Sequence, residues 1–129
     1  MAKPLALADT SLFVALEHGR PLRAEPPASL VVSIITVSEL RSGVLSATDT
    51  TTRAARLRSL SKALESEPLL IDDGVAIAWA ELRARLRELG RRLAINDSWI
   101  AATAIAHGLP LATQDRDYTD VPGLTVVAL

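Results

Sequence analysis

Short apolar runs alternate along this chain with longer stretches whose apolar residues return every three or four positions, and no other feature limits the possible folds as strongly. "LALAD" ends at Asp9 and leads into "TSLFVALEHG", where Leu12, Phe13 and Leu16 have helical spacing and Gly19 supplies a stop. "SLVVSIITVSELRSGVLSA" repeats the scheme: a β-branched run from Leu30 to Ile35 enters a helix with Val37, Leu40 and Val44 on one face. A helix is expected over 49–66 with Ala54, Leu57, Leu60 and Leu64 inward, then a brief strand at 68–71. The longest helix is expected over 73–92, where Val75, Trp79, Leu82, Leu86, Leu89 and Leu93 are spaced alternately by four and three. An apolar helix opening at Asn96-Asp97 follows, and "LPLAT" and "LTVVAL" read as two more strands around "QDRDYTDVPG". The alternation predicts one α/β domain over 1–129: a three-layer sandwich whose central, mainly parallel sheet of four to five strands carries helices on both faces. In such sheets ligands bind beyond the carboxyl ends of the strands, where strand order reverses.

Composition narrows the chemistry. Aromatics are only 3% of the 129 residues, which argues against a stacking platform for single-stranded bases. There is no cysteine, which removes disulfides and thiolate zinc sites and leaves His18, His107 and the 15 acidic residues as metal ligands. The longest apolar stretches, such as "LVVSIITV", fall well short of the roughly 18 residues of a membrane span. With no basic-then-apolar signal segment at the start, a cytoplasmic location is expected. A formal charge of -1 gives no global attraction to nucleic acid, so such binding requires a local patch or a bound cation.

Four acids occupy comparable places in this scheme. Asp9 falls at the carboxyl end of the first strand and Asp115 just past the "LPLAT" strand; Glu39 is expected in the first turn of the second helix, and Asp97 opens the helix before "LPLAT". Each has an ordinary alternative: Asp9 can cap a helix, Asp115 with Asp117 can make a turn, and Glu39 can be a solvated helical residue. Gathered together, however, like charges about 4 to 6 Å apart repel unless a cation neutralises them. Helical phase adds to this, because Asp97 shares its direction with Ala101 and Ala104 and so heads an apolar stripe, with Asn96 free to act as the cap. Glu39 points away from Val37, Leu40 and Val44 towards Gly43, where a substrate backbone or a packed helix would find room. Hard oxygen ligands favour Mg²⁺ or Mn²⁺, and the chemistry they support is hydrolysis of a phosphodiester by a water that the carboxylate-bound cation activates.

These residues resemble the PIN-domain ribonucleases, and within them the VapC-type toxins of bacterial toxin-antitoxin pairs, over residues 5–127. The motifs that carry the resemblance are "ADTSLFVAL" with Asp9, "TVSELRSG" with Glu39, and "INDSWIAATAIAHGLPLATQDRDY" with Asp97 and Asp115. It implies a PIN-like α/β fold, Mg²⁺ or Mn²⁺ held by Asp9, Asp97, Glu39 and Asp115, endonucleolytic cleavage of RNA, a homodimer, and inhibition by a cognate VapB-type antitoxin. It also implies that Ser11 and Thr113 support the site. The chain departs from the pattern at Gln114, where a basic residue is common, and at Tyr118, where Phe is usual. Because the fourth acidic position is often Asn in relatives, Asp115 is expected to tune the site, with Asp117 as a substitute ligand.

Arg53, Arg56, Arg58, Lys62, Arg83, Arg85, Arg87, Arg91 and Arg92 crowd two helices of an almost neutral chain. Arg83 and Arg87, one turn apart, are the candidate grips for RNA phosphates, against the plain alternative of a solvated helix face. A mean hydropathy of +0.25 points to apolar surface covered by a partner. Two other classes compete: a non-catalytic PIN-like interaction module, and an aspartate-dependent phosphatase. The second lacks both a further acid two residues after Asp9 and a lysine near a late strand end.

Overall fold

Strands β1 (Leu5–Ala8), β2 (Ser29–Val31), β3 (Leu111–Thr113) and β4 (Val126–Ala128) form one parallel sheet in the order β2-β1-β3-β4. The computed structural model describes residues 5–129, so the first four residues of the expected domain lie outside the described residues. Helices α1 (Thr10–Glu17), α2 (Ile34–Ser46), α3 (Thr50–Ala63), α4 (Asp73–Glu88) and α5 (Ile95–Ala106) complete the frame.

Side chains alternate across a strand, and this alternation builds the three layers. Ala6 and Ala8 of β1 and Ala112 of β3 face one core with Leu12 and Phe13 of α1, Val37 and Leu40 of α2, and Leu60 of α3. Leu7 and Leu111 face the opposite core with Leu82 and Leu86 of α4 and Ile100, Ala101 and Ala104 of α5. Alanines let helix and sheet backbones approach closely. Between α4 and α5 the indoles of Trp79 and Trp99 stack with centroids 4.3 Å apart and planes 4° from parallel.

The connection after β1 leads to β2 on one side, whereas the one after β3 leads to β4 on the other. The carboxyl ends of β1 and β3 therefore flank the switch point, and Asp9 and Asp115 follow those two strands.

Several local expectations are corrected. The strand expected at 68–71 is a single parallel bridge between Ser33 and Leu69, leaving four strands among the described residues. The run from Leu30 to Ile35 does not stay extended: Ser33 accepts the Ile35 N–H at 2.9 Å and starts α2, which moves Glu39 from the first turn to the second. Helix α3 ends at Ala63, and Ala54, Leu57 and Leu64 are exposed while Leu60 alone of the expected four is buried. Leu16 is exposed as well. Helix α4 stops at Glu88, because Gly90 takes a φ of 63° that ends the helix; Leu89 is 64% exposed, and buried Leu93 reaches the core from the following extended segment.

Candidate active site

The site is built from the ends of β1 and β3 and the first turn of α5. Asp9 caps α1, its Oδ2 accepting the Ser11 N–H at 3.3 Å. Only 3% of its surface is exposed, and burying a carboxylate is costly unless it is hydrogen-bonded. Two further donors meet that need: the Thr113 hydroxyl reaches Oδ2 at 2.8 Å and the Tyr118 phenol reaches Oδ1 at 3.0 Å.

Counting protons fixes the directions of the surrounding network. Since the Thr113 proton goes to Asp9, the 3.1 Å contact between Ser11 and Thr113 is donated by Ser11. Ser11 in turn accepts the Gln114 N–H at 3.0 Å, and Thr113 accepts the Asp115 N–H at 2.9 Å. Ser11 and Thr113 thus tie the start of α1 to the turn after β3. In that turn Asp115 accepts the Asp117 N–H at 2.9 Å and opens a 3₁₀ turn over Arg116–Tyr118.

Asp97 is the third residue of α5, whose cap is Ala94 and not Asn96; no side chain caps this helix. The turn is held instead from outside, where the Trp79 indole N–H donates to buried Ser98 at 2.9 Å and Ser98 donates to the Ile95 carbonyl. Asp97 Oδ1 lies 3.0 Å from the same Tyr118 phenol oxygen, so Asp97 competes with Asp9 for the phenol's single proton. Its pKa is pushed up to about 6, first by burial and then by the charges of Asp9, Asp115 and Glu39, against the opposing pull of the Tyr118 hydrogen bond. Burial and the charges of Asp9 and Asp97 raise the Tyr118 pKa, so the phenol stays protonated and donates.

Glu39 joins from α2. The Thr10 hydroxyl donates to Glu39 Oε1 at 2.7 Å, so the 2.9 Å contact between Thr10 and Thr36 is donated by Thr36. Gly43, one turn on, lines a groove with Glu39, Thr10 and Arg56, and the Arg56 guanidinium donates to its carbonyl at 2.7 Å. A methyl group at Gly43 would meet only the Arg56 Cδ at 3.8 Å, an ordinary contact, so close packing of α2 against α3 does not require this glycine.

Among the described residues, Asp97, Asp115 and Asp117 each offer a carboxylate oxygen such that all three atoms lie within 4.8 Å of one another. Asp9 meets Asp97 at the shared phenol, and Glu39 attaches through Thr10, the residue after Asp9. Asp117, named in the sequence only as a substitute, stands in the tight cluster. The donor set is hard oxygen, mutually repelling and partly buried, which suits a divalent cation of the Mg²⁺ or Mn²⁺ kind. Thr10, Thr36 and the bridging role of Tyr118 were missed by sequence reasoning. The available signals were the position of Thr10 directly after Asp9, the one-turn spacing from Thr36 to Glu39, and a polar aromatic where Phe is usual.

The basic helices divide into two uses. Arg53 and Arg56 donate to the carbonyls of Ala47 and Gly43 and so satisfy the C-terminal end of α2. Arg83 lies over the Trp79 ring at 5.3 Å, and Arg83, Arg87, Arg91 and Arg92 line one depression. Arg91 donates to the Asp117 carbonyl at 2.8 Å, linking that depression to the acidic turn.

The PIN domain pattern matches residues 6–124. The chain belongs to the PIN-domain family. Within it, this PIN domain is 45% identical to Ribonuclease VapC5 of Mycobacterium tuberculosis over 122 residues, 94% of this chain and 90% of that protein. It is 44% identical to Ribonuclease VapC4 of the same organism, covering 96% of each. Its fold superposes with a TM-score of 0.87 on a chain in the crystal structure of VapBC-5, a toxin-antitoxin system of M. tuberculosis, at 39% identity over 97% of this chain and 98% of that one. FitAcB from Neisseria gonorrhoeae is also similar, with a TM-score of 0.73 and 28% identity over 94% and 95% of the two chains.

Proposed function

We propose that this PIN domain is a divalent-metal-dependent endoribonuclease, the toxin of a toxin-antitoxin pair. The observation that carries the reading is the convergence of carboxylates at the switch point of the sheet: Asp9 and Asp97 meet at the Tyr118 phenol, and one oxygen each of Asp97, Asp115 and Asp117 lie within 4.8 Å of one another. Asp9, Asp97, Glu39 and Asp115 would hold Mg²⁺ or Mn²⁺, with Asp9 and Asp97 as the principal ligands. When bound, the cation would supply a Lewis acid that makes water more acidic and offsets phosphate charge. The chain's own residues do the rest. Ser11 and Thr113 orient Asp9, Thr10 holds Glu39, and Arg83 and Arg87 grip RNA phosphates on the side of α4 that Arg91 links to the acidic turn.

The names of the relatives support ribonuclease activity, and their toxin-antitoxin assemblies support a VapB-type antitoxin as partner; inhibition by that antitoxin and a homodimeric toxin are further parts of the proposal. Exposed Leu16, Leu57 and Leu45, the last 84% exposed, offer apolar surface on α1, α3 and α2 for such partners. Among the described residues no helix is long and apolar enough to cross a membrane. The substrate in this reading is RNA of the cytoplasm. A phosphatase reading is disfavoured because both oxygens of Asp9 are engaged by internal donors, which suits a fixed ligand better than an attacking nucleophile.

The test is incubation of purified, partner-free protein with total RNA and Mg²⁺ or Mn²⁺, beside EDTA and Asp9→Asn controls. Cleavage confined to the metal-supplemented wild type is expected; cleavage that survives in both controls would reject the mechanism. Replacing Arg83 and Arg87 by Ala should reduce the salt dependence of RNA binding, by about 0.7 in log-log slope for each phosphate no longer gripped. An unchanged slope would remove these arginines from the RNA path.

A further inference from the structure

Tyr118 is the single tyrosine of the chain, and its ring is completely buried in the core beneath α5. A phenylalanine would fill the same space, so packing does not account for the hydroxyl. What distinguishes the phenol is its position between two acids that come from opposite ends of the sequence. Its oxygen lies 3.0 Å from Asp9 Oδ1 and 3.0 Å from Asp97 Oδ1. Two oxygens at that distance from one point are held within about 6 Å of each other, close enough to repel strongly.

We propose that Tyr118 is a positioning residue whose hydroxyl gathers Asp9 and Asp97 at one point and so sets the spacing of the pair for a divalent cation. This inference rests on the metal-dependent reading above and concerns a residue outside the four acids. The proton count supports it. A phenol has one proton, and two carboxylate oxygens lean on it, so at any moment one of them faces the phenol's lone pairs. A cation on the carboxylates offsets that repulsion; where relatives usually carry Phe this anchor is missing, so the hydroxyl is a feature of this chain that adds to the ligand set. The turn that Asp115 opens at the rim carries Tyr118 three residues on, so one short segment delivers an acid outward and the phenol inward.

Because the tyrosine is unique, it can be observed without altering any ligand. Wild-type protein carrying 3-fluorotyrosine should show one ¹⁹F resonance that moves on Mg²⁺ addition with the midpoint found by calorimetry. Tyr118→Phe should remain folded in EDTA by circular dichroism yet bind Mg²⁺ about 10- to 100-fold more weakly, the usual cost of losing a group that orients a metal ligand. Cleavage by that variant should recover towards the wild-type rate as Mg²⁺ is raised, which a general loss of structure would not allow. Unchanged Mg²⁺ affinity in Tyr118→Phe, or a ¹⁹F resonance unmoved at saturating Mg²⁺, would overturn the role of Tyr118 while leaving metal dependence intact. If Tyr118→Phe does not fold, the resonance alone decides. Wild-type protein that binds no Mg²⁺ would overturn both this inference and the proposed mechanism.

Discussion

Asp9 and Asp115 begin from the same local motif and end in different environments. Each follows a strand, and each accepts the N–H two residues on, from Ser11 and from Asp117 respectively. Asp9 is buried with two further hydroxyl donors, from Thr113 and Tyr118, whereas Asp115 is partly exposed and its side chain accepts from the turn. The turn chemistry is common to both; the difference comes from what packs above it. The buried member has a fixed geometry before any ligand arrives, and the rim member is free to adjust.

The comparison breaks down if the two positions respond alike to the same change. Asp9→Asn should be the most damaging, lowering cleavage by more than about a hundredfold, because it removes a charged ligand where even a supporting group is worth 10- to 100-fold. A single-turnover assay at saturating Mg²⁺ measures this. Asp97→Asn should also abolish cleavage while remaining folded, since no side-chain cap is lost at α5.

The latter variant has a second signature. The pKa of Asp97 rises to about 6 on folding from an ordinary value of 3.8, so between these values the folded protein holds more protons than the unfolded chain. Cation-free stability should therefore fall as pH rises from about 4 through 6, contrary to the usual behaviour of a paired carboxylate. Urea midpoints in EDTA at pH 5 and pH 7.5 should show the decline, Asp97→Asn should flatten it, and Mg²⁺ should restore stability at the higher pH. A wild-type midpoint that rises over this range would contradict the assigned surroundings of Asp97.

Thr113→Val is the next effect in size. It keeps the shape but removes the donor to Asp9 and the acceptor of the Asp115 N–H, and should cost about 1 to 3 kcal/mol of stability with a 10- to 100-fold loss of cleavage. Denaturant unfolding alongside the cleavage assay separates the two consequences. Asp115→Asn should have the smallest effect, a few-fold in rate, because Asn still accepts the Asp117 N–H and Asp117 lies close enough to share the ligand role. A reduction as large as that from Asp9→Asn would erase the distinction between buried and rim acids.

Much of this site was legible before the fold, for a definite reason. Period-two and period-3.6 apolar patterns record which face of an element is buried, and their alternation dictated a parallel sheet with helices on both sides. Once the strands were placed, the short loops fixed Asp9 and Asp115 at the carboxyl edge, and helical phase aligned Asp97 with Ala101 and Ala104. The same patterns overreached wherever apolar spacing continued past a backbone stop. The stripe to Leu93 crosses Gly90, and Ala54, Leu57 and Leu64 keep helical spacing on a face left exposed among the described residues. Only tertiary structure decided that the first turn of α5 is held by Trp79 and Ser98 in place of a cap, that Thr10 reaches Glu39, and that one phenol serves two acids. Those contacts join residues 19 to 109 positions apart, and local sequence pattern carries no record of distances across the chain. The sequence determined which acids stand at the strand ends; the packed fold determined which of them are buried, which share a proton, and how closely they face one another.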